Sequence, residues 1–89
     1  MQKLPKSKPR SSKPREKDEL KLMQRIGSRI HKDAYEQDIP KDRLAVEAEV
    51  SRHTLERIFK GQDNIGIITL HRVSKALGYK GVVDFLEQL

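Results

Sequence analysis

The 89-residue sequence contains no cysteine. That excludes a disulfide framework, a cysteine-based zinc site and a thiol nucleophile. The three histidines, His31, His53 and His71, are too far apart in the chain to show local metal-ligand spacing. No paired carboxylates accompany a histidine at helical spacing on one face. Ser51 lacks an activating neighbour, because His53 lies two positions on and points elsewhere on a helix. No catalytic residue, metal or cofactor is therefore expected. Apolar runs are short, as in Ile65-Gly66-Ile67-Ile68, far below the roughly 20 residues of a membrane span. The aromatics are only Tyr35, Phe59, Tyr79 and Phe85, a poor base-stacking platform for single-stranded RNA. No alternating stretch is long enough to argue for a sheet, and no internal repeat is evident.

What is present is positive charge, concentrated at one end. The formal charge of the chain is +6. Residues 1–17 hold seven basic residues against the single acid Glu16, whereas residues 18–89 balance 12 basic against 12 acidic. The basic residues Lys3, Lys6, Lys8, Arg10, Lys13 and Arg15 are interspersed with Pro5, Pro9 and Pro14 and with serines. Proline and like charge both oppose a compact helix, so residues 1–17 read as a disordered, flexible basic arm. Its chemistry suits the phosphates of a nucleic acid. A solvated, solubilising tail is the plain alternative. A membrane-surface role is weakest, with Leu4 as the lone apolar anchor.

Residues 18–89 read as one all-α domain of four to five short helices. Met23, Ile26, Ile30 and Ala34 recur at three- and four-residue steps, with Tyr35 joining that face, and predict a first helix ending near Asp38. Pro40 suits the first position of a second helix reaching Ala48, with Leu44, Ala45 and Ala48 inward. Ser51 is a good N-cap for a third helix, in which Leu55, Ile58 and Phe59 face inward and Gly61 lies just past the end. A fourth helix runs from about Ile67 to Leu77, terminated by Gly78. A short fifth runs from about Gly81 to Gln88.

Two short helices with a tight turn, small residues inside and polar residues outside describe a helix-turn-helix. Here the sequence resembles the phage-repressor/Cro-like (XRE-type) DNA-binding family. The resemblance rests on Ile26-Gly27-Ser28-Arg29-Ile30, on Leu44-Ala45 and on Val50-Ser51-Arg52-His53-Thr54-Leu55-Glu56-Arg57-Ile58. Gly61, Asn64, Leu70 and Lys75-Ala76-Leu77-Gly78 complete it. It runs ungapped over more than half of the chain. It implies a lambda-repressor-like bundle that binds double-stranded DNA, with the helix at about 51–60 in the major groove. The chain departs from the family pattern at four places. Lys41 stands where a phosphate-anchoring Gln is common, Pro40 where a Ser or Thr cap is usual, Glu49 where the turn usually has Gly, and Asp33 where an apolar residue is common.

By resemblance, Arg52 and His53 face base edges, with Thr54 and Glu56 as the next candidates. Arg is the commonest reader of guanine, and a glutamate accepts from cytosine N4. For Glu56 the competing expectation is a four-residue ion pair with Arg52 or Lys60. Lys41, Ser51, Arg57, Lys60, Gln62 and Asn64 suit phosphate positioning. His31 and His71 read as surface residues. In the fifth helix Val83, Phe85, Leu86 and Leu89 cannot all face inward. They are either a fraying terminal helix or, as the resemblance suggests, a two-fold homodimer contact.

The expected function is sequence-specific duplex binding by a cytoplasmic, nucleoid-associated transcriptional regulator that acts by occupancy. An antitoxin-type module of the same fold, with a protein partner, is one alternative. A sequence-blind architectural DNA binder dominated by the arm is the other.

Overall fold

A computed structural model describes residues 16–89. The expectations placed on Lys3, Lys6, Lys8, Arg10, Lys13 and Arg15 concern residues outside that range. The described chain forms α1 (Lys17–Glu36), α2 (Lys41–Ala48), α3 (Arg52–Phe59), α4 (Ile67–Ala76) and α5 (Val82–Glu87). No strand occurs among the described residues. The all-helical reading of residues 18–89 therefore holds, with boundaries shifted by a residue or two.

The helices start and stop where local chemistry demands. At the start of α1 the Glu16 N–H donates to the Glu19 carboxylate at 3.2 Å, which satisfies a donor that the helix itself leaves free. Pro40 is the residue ahead of α2 rather than its first helical one, because its ψ of 150° is still extended. Ser51 caps α3 as expected, its hydroxyl accepting from the Thr54 N–H at 3.0 Å. Helices α1 to α4 all end on a left-handed residue: Asp38, Glu49, Gly61 and Gly78. In each case the next N–H reaches back to a carbonyl five residues earlier: Ile39 to Ala34, Val50 to Ala45, Gln62 to Arg57 and Tyr79 to Ser74. That closure satisfies carbonyls the helix end would otherwise orphan.

One core joins the five elements. Ile26, Ile30 and Ala34 enter it from α1, and Leu44, Ala45 and Ala48 from α2. Leu55 and Ile58 come from α3, Leu70 and Val73 from α4, Leu77 from its end, and Phe85 from α5. The small Ala45 and Ala48 let α2 lie close on α4. Gly27 does the same for α1 against α3: a Cβ there would sit 2.0 Å from the Ile58 carbonyl oxygen. Tyr35 does not join the α1 core face. It is 80 % exposed, because one helical step from Ala34 turns a side chain by about 100°.

Phe85 requires a second correction. Expected at a dimer contact, it is only 1 % exposed and packs edge-on against Tyr79 with ring centroids 5.1 Å apart. The largest apolar side chain of α5 is the one that seats this six-residue helix on the bundle.

Asp33, the acid at an expected apolar position, is nearly buried and fully engaged. Its carboxylate accepts from the Tyr79 hydroxyl at 2.6 Å and from Arg29 Nε at 3.3 Å. Arg29 also donates to the Tyr79 oxygen and to the Gln88 carbonyl. Arg25 donates to the Leu89 carbonyl at 2.8 Å. These bonds tie α1 to the segment around α5. His71 is likewise not a free surface residue. It is half-buried, and its Nδ1 accepts from the Val82 N–H at the start of α5.

Candidate nucleic-acid interface

Of the residues singled out for binding, Lys41, Ser51, Arg52, Thr54 and Glu56 come together on an edge built from α2, the turn Glu49-Val50-Ser51 and α3. The turn is short because Glu49 adopts φ 60° and ψ 42°. A residue with a Cβ is strained there by about 1–2 kcal/mol. The Glu49 carboxylate lies 3.7 Å from Arg72 Nη1 on α4, an exposed surface pair.

Beyond the turn, α3 has eight residues and is about 12 Å long. Leu55 and Ile58 anchor it in the core. The first turn, with Arg52 and His53, is left to solvent. The cap consumes Ser51: besides accepting from Thr54, its hydroxyl donates to Thr54 Oγ1 at 3.0 Å. That leaves Ser51 less available for a phosphate than the sequence suggested. Thr54 is half-buried beside it.

Arg52, Glu56, Lys41 and Asp42 form one charge cluster across α2 and α3. Arg52 Nη1 lies 3.3 Å from Asp42 Oδ1, and Arg52 Nε lies 3.6 Å from Glu56 Oε2. The same Glu56 oxygen is 3.5 Å from Lys41 Nζ. The four-residue pairing of Glu56 thus runs to Arg52 and not to Lys60. Its second partner, Lys41, comes from the neighbouring helix, which helical spacing within α3 had no means to indicate. Asp42 was not singled out from sequence. The available signal was an acid beside Lys41 at the start of α2, where carboxylates complement the helix dipole anyway.

The remaining candidates form a second, looser group. Arg57 closes the end of α3, with Nη2 donating to the Gln62 carbonyl at 3.0 Å and Nε 3.7 Å from Asp63 Oδ2. Gln62 and Asn64 lie exposed in the loop, and Lys60 lies exposed at the end of α3. Gly61 is required at that end, since a Cβ would meet the Gln24 backbone at 2.7 Å. Next to this end of α3, His31 of α1 stacks on Phe59 with ring centroids 4.7 Å apart.

On α5, Val83 and Leu86 are 65 % and 42 % exposed, and Leu89, just past its end, is half-buried. Among the described residues no group of three or more metal-ligating side chains converges. None of the described helices is long and apolar enough to cross a membrane. Comparison with protein-family models and with curated proteins finds no match to this chain.

Proposed function

We propose that this chain is a sequence-specific double-stranded DNA-binding protein with a lambda-repressor-like helix-turn-helix, acting as a transcriptional regulator by occupying its site. The observation that carries the reading is the pairing of α2 with a Ser51-capped α3 through a left-handed turn at Glu49. Its apolar side is fully committed to the core, while Arg52 and His53 stand in solvent at the leading end.

A helix about 10–12 Å across with its side chains, anchored at its base and polar at its tip, suits a major groove of about 12 Å width. In that placement Arg52 offers a planar fork to guanine O6 and N7, and His53 reaches the adjacent base edge. Lys41, Lys60, Gln62 and Asn64 lie along the flanks, where backbone phosphates fix register without reading sequence. The basic residues 1–17 supply the net positive charge that residues 18–89 lack, and with it most of the long-range, salt-sensitive attraction. The exposed Val83 and Leu86 support a second copy on the two-fold axis, so that paired half-sites are read one helical turn apart.

The test is selection from a random duplex library at near-physiological salt with the full chain. The expected result is an enriched motif with two-fold symmetry, and weaker binding of it by Arg52→Ala and His53→Ala. Retention of DNA with no enrichment would favour the sequence-blind architectural reading carried by the arm.

A further inference from the structure

The charge cluster on the α2–α3 edge is arranged against the binding it accompanies. Arg52 and Lys41, the two cations best placed to meet DNA, are both held by carboxylates in the free protein. With Asp42 and Glu56 they make a neutral set of two cations and two anions. The four side chains are 37 % to 75 % exposed. At that exposure such pairs add only about 0–1 kcal/mol to the fold. The core beneath is complete without them, since Leu44, Leu55 and Ile58 carry the packing. Stability does not account for the cluster, and its consequence falls on binding.

We propose that Glu56 is the specificity-determining residue of this edge, acting by penalising every duplex that does not present an amino group to it. This rests on the reading of α3 as the helix that enters the groove. Phosphates occur on every duplex, so a face that binds through free cations binds all sequences alike. Here, drawing Arg52 and Lys41 to phosphates strips Glu56 of both partners. It leaves a carboxylate facing the negative field of the backbone. Most major-groove base atoms make matters worse, because guanine O6 and N7, adenine N7 and thymine O4 are all acceptors. Only cytosine N4 and adenine N6 donate.

Glu56 is therefore satisfied in the groove where one of those amino groups lies opposite it. Specificity arises as a difference in affinities, obtained by weakening the wrong complexes. Affinity at a distance is left to the basic residues 1–17.

The experiment compares full-length wild type with Glu56→Gln on two labelled duplexes at about 0.15 M salt. One duplex is the sequence enriched in the selection, and the other is a shuffled sequence of the same composition. Glu87→Gln on α5, which packs on α4, changes the net charge equally and serves as the control. Glu56→Gln is expected to bind the shuffled duplex roughly threefold or more tightly, the scale of one unit charge acting at groove distances. The ratio of the two affinities then shrinks by at least that factor. A repeat selection with Glu56→Gln is expected to lose the preference at one base pair of each half-site and keep the others. Merely structural damage would not produce that pattern.

Equal gains from Glu87→Gln would reduce the effect to net charge and overturn the proposal. So would an unchanged affinity for the shuffled duplex, while Arg52→Ala still weakens the enriched one. In that case the placement of α3 in the groove stands and only the role of Glu56 falls. If wild type enriches no sequence and Arg52→Ala binds as wild type does, both fall together.

Discussion

Two acid–base clusters of similar composition occupy opposite situations in this molecule. At the junction of α1 with the segment around α5, Arg29, Asp33 and Tyr79 form a network in which Asp33 is only 8 % exposed. On the α2–α3 edge, Lys41, Asp42, Arg52 and Glu56 form a network open to water. The first replaces solvent with specific hydrogen bonds, so each partner removed leaves another stranded. The second replaces nothing, because water stands ready to solvate each group in turn. The difference teaches that ion pairs of the same chemical kind hold the fold in one region and leave it almost untouched in the other. In the reading proposed above, the exposed set acts on which duplex the surface accepts rather than on the fold.

Removing Asp33 is the sharpest way to break this contrast. Asp33→Ala strands the Tyr79 hydroxyl and weakens the anchoring of Arg29. The expected loss is about 2–3 kcal/mol, which for a domain of this size lowers the melting temperature by more than about 8 °C. Thermal unfolding followed by circular dichroism reads it directly.

Tyr79→Phe removes two bonds of the same network, the one donated to Asp33 and the longer one accepted from Arg29, and costs about 1–2 kcal/mol. It also carries a pH signature. Burial, with the hydrogen bond to Asp33, raises the Tyr79 phenol above its ordinary value. The native state thus favours the protonated phenol. That contribution is complete below the ordinary tyrosine pKa of about 10. It is lost as pH rises through the raised native value. The stability gap between wild type and Tyr79→Phe, measured in urea at successive pH values, is expected to be widest near neutrality and to close in the alkaline range.

Glu49 belongs to the exposed side but carries backbone strain. Glu49→Gly relieves the left-handed conformation and gives up the surface pair with Arg72. The net expectation is a gain below about 1 kcal/mol in urea unfolding. A loss would mean that the Arg72 pair contributes more than its exposure suggests.

The smallest effect on stability is expected at Arg52, and it completes the contrast. Arg52→Ala removes two ion pairs yet shifts unfolding by no more than about 0.5 kcal/mol. The same substitution weakens binding of the selected duplex. A large loss of stability here would erase the distinction between the two clusters.

The helices were legible because their signals are local. Ser51, Gly61, Gly78 and the spacing of Ile26, Ile30 and Ala34 act within a turn or two of themselves. Short-range hydrogen bonding and burial then place each element to within a residue or two. Phe85 and Tyr35 were misread for a related reason: periodicity assigns a face to a helix, but which borderline side chain fills the core depends on the neighbouring helix. Asp33 and His71 were harder still. Their partners Tyr79 and Val82 belong to other elements, and no pattern within one helix announces them.

The candidate interface divides in the same way. The identity of Arg52, His53 and Glu56 as the polar, leading part of a capped helix follows from the sequence alone, because helical geometry sets which residues share a face. So does the separation of a strongly basic stretch, residues 1–17, from an electrically balanced remainder, since charge is a sum over residues and needs no fold; its last two residues, Glu16 and Lys17, open α1 rather than continue the expected arm. That Lys41 and Asp42 reach across to Glu56 and Arg52 was decided only by tertiary structure. Two helices had to be packed at one angle before those charges became neighbours, and each is seated separately: α2 on α4 through Ala45 and Ala48, and α3 on α1 through Gly27.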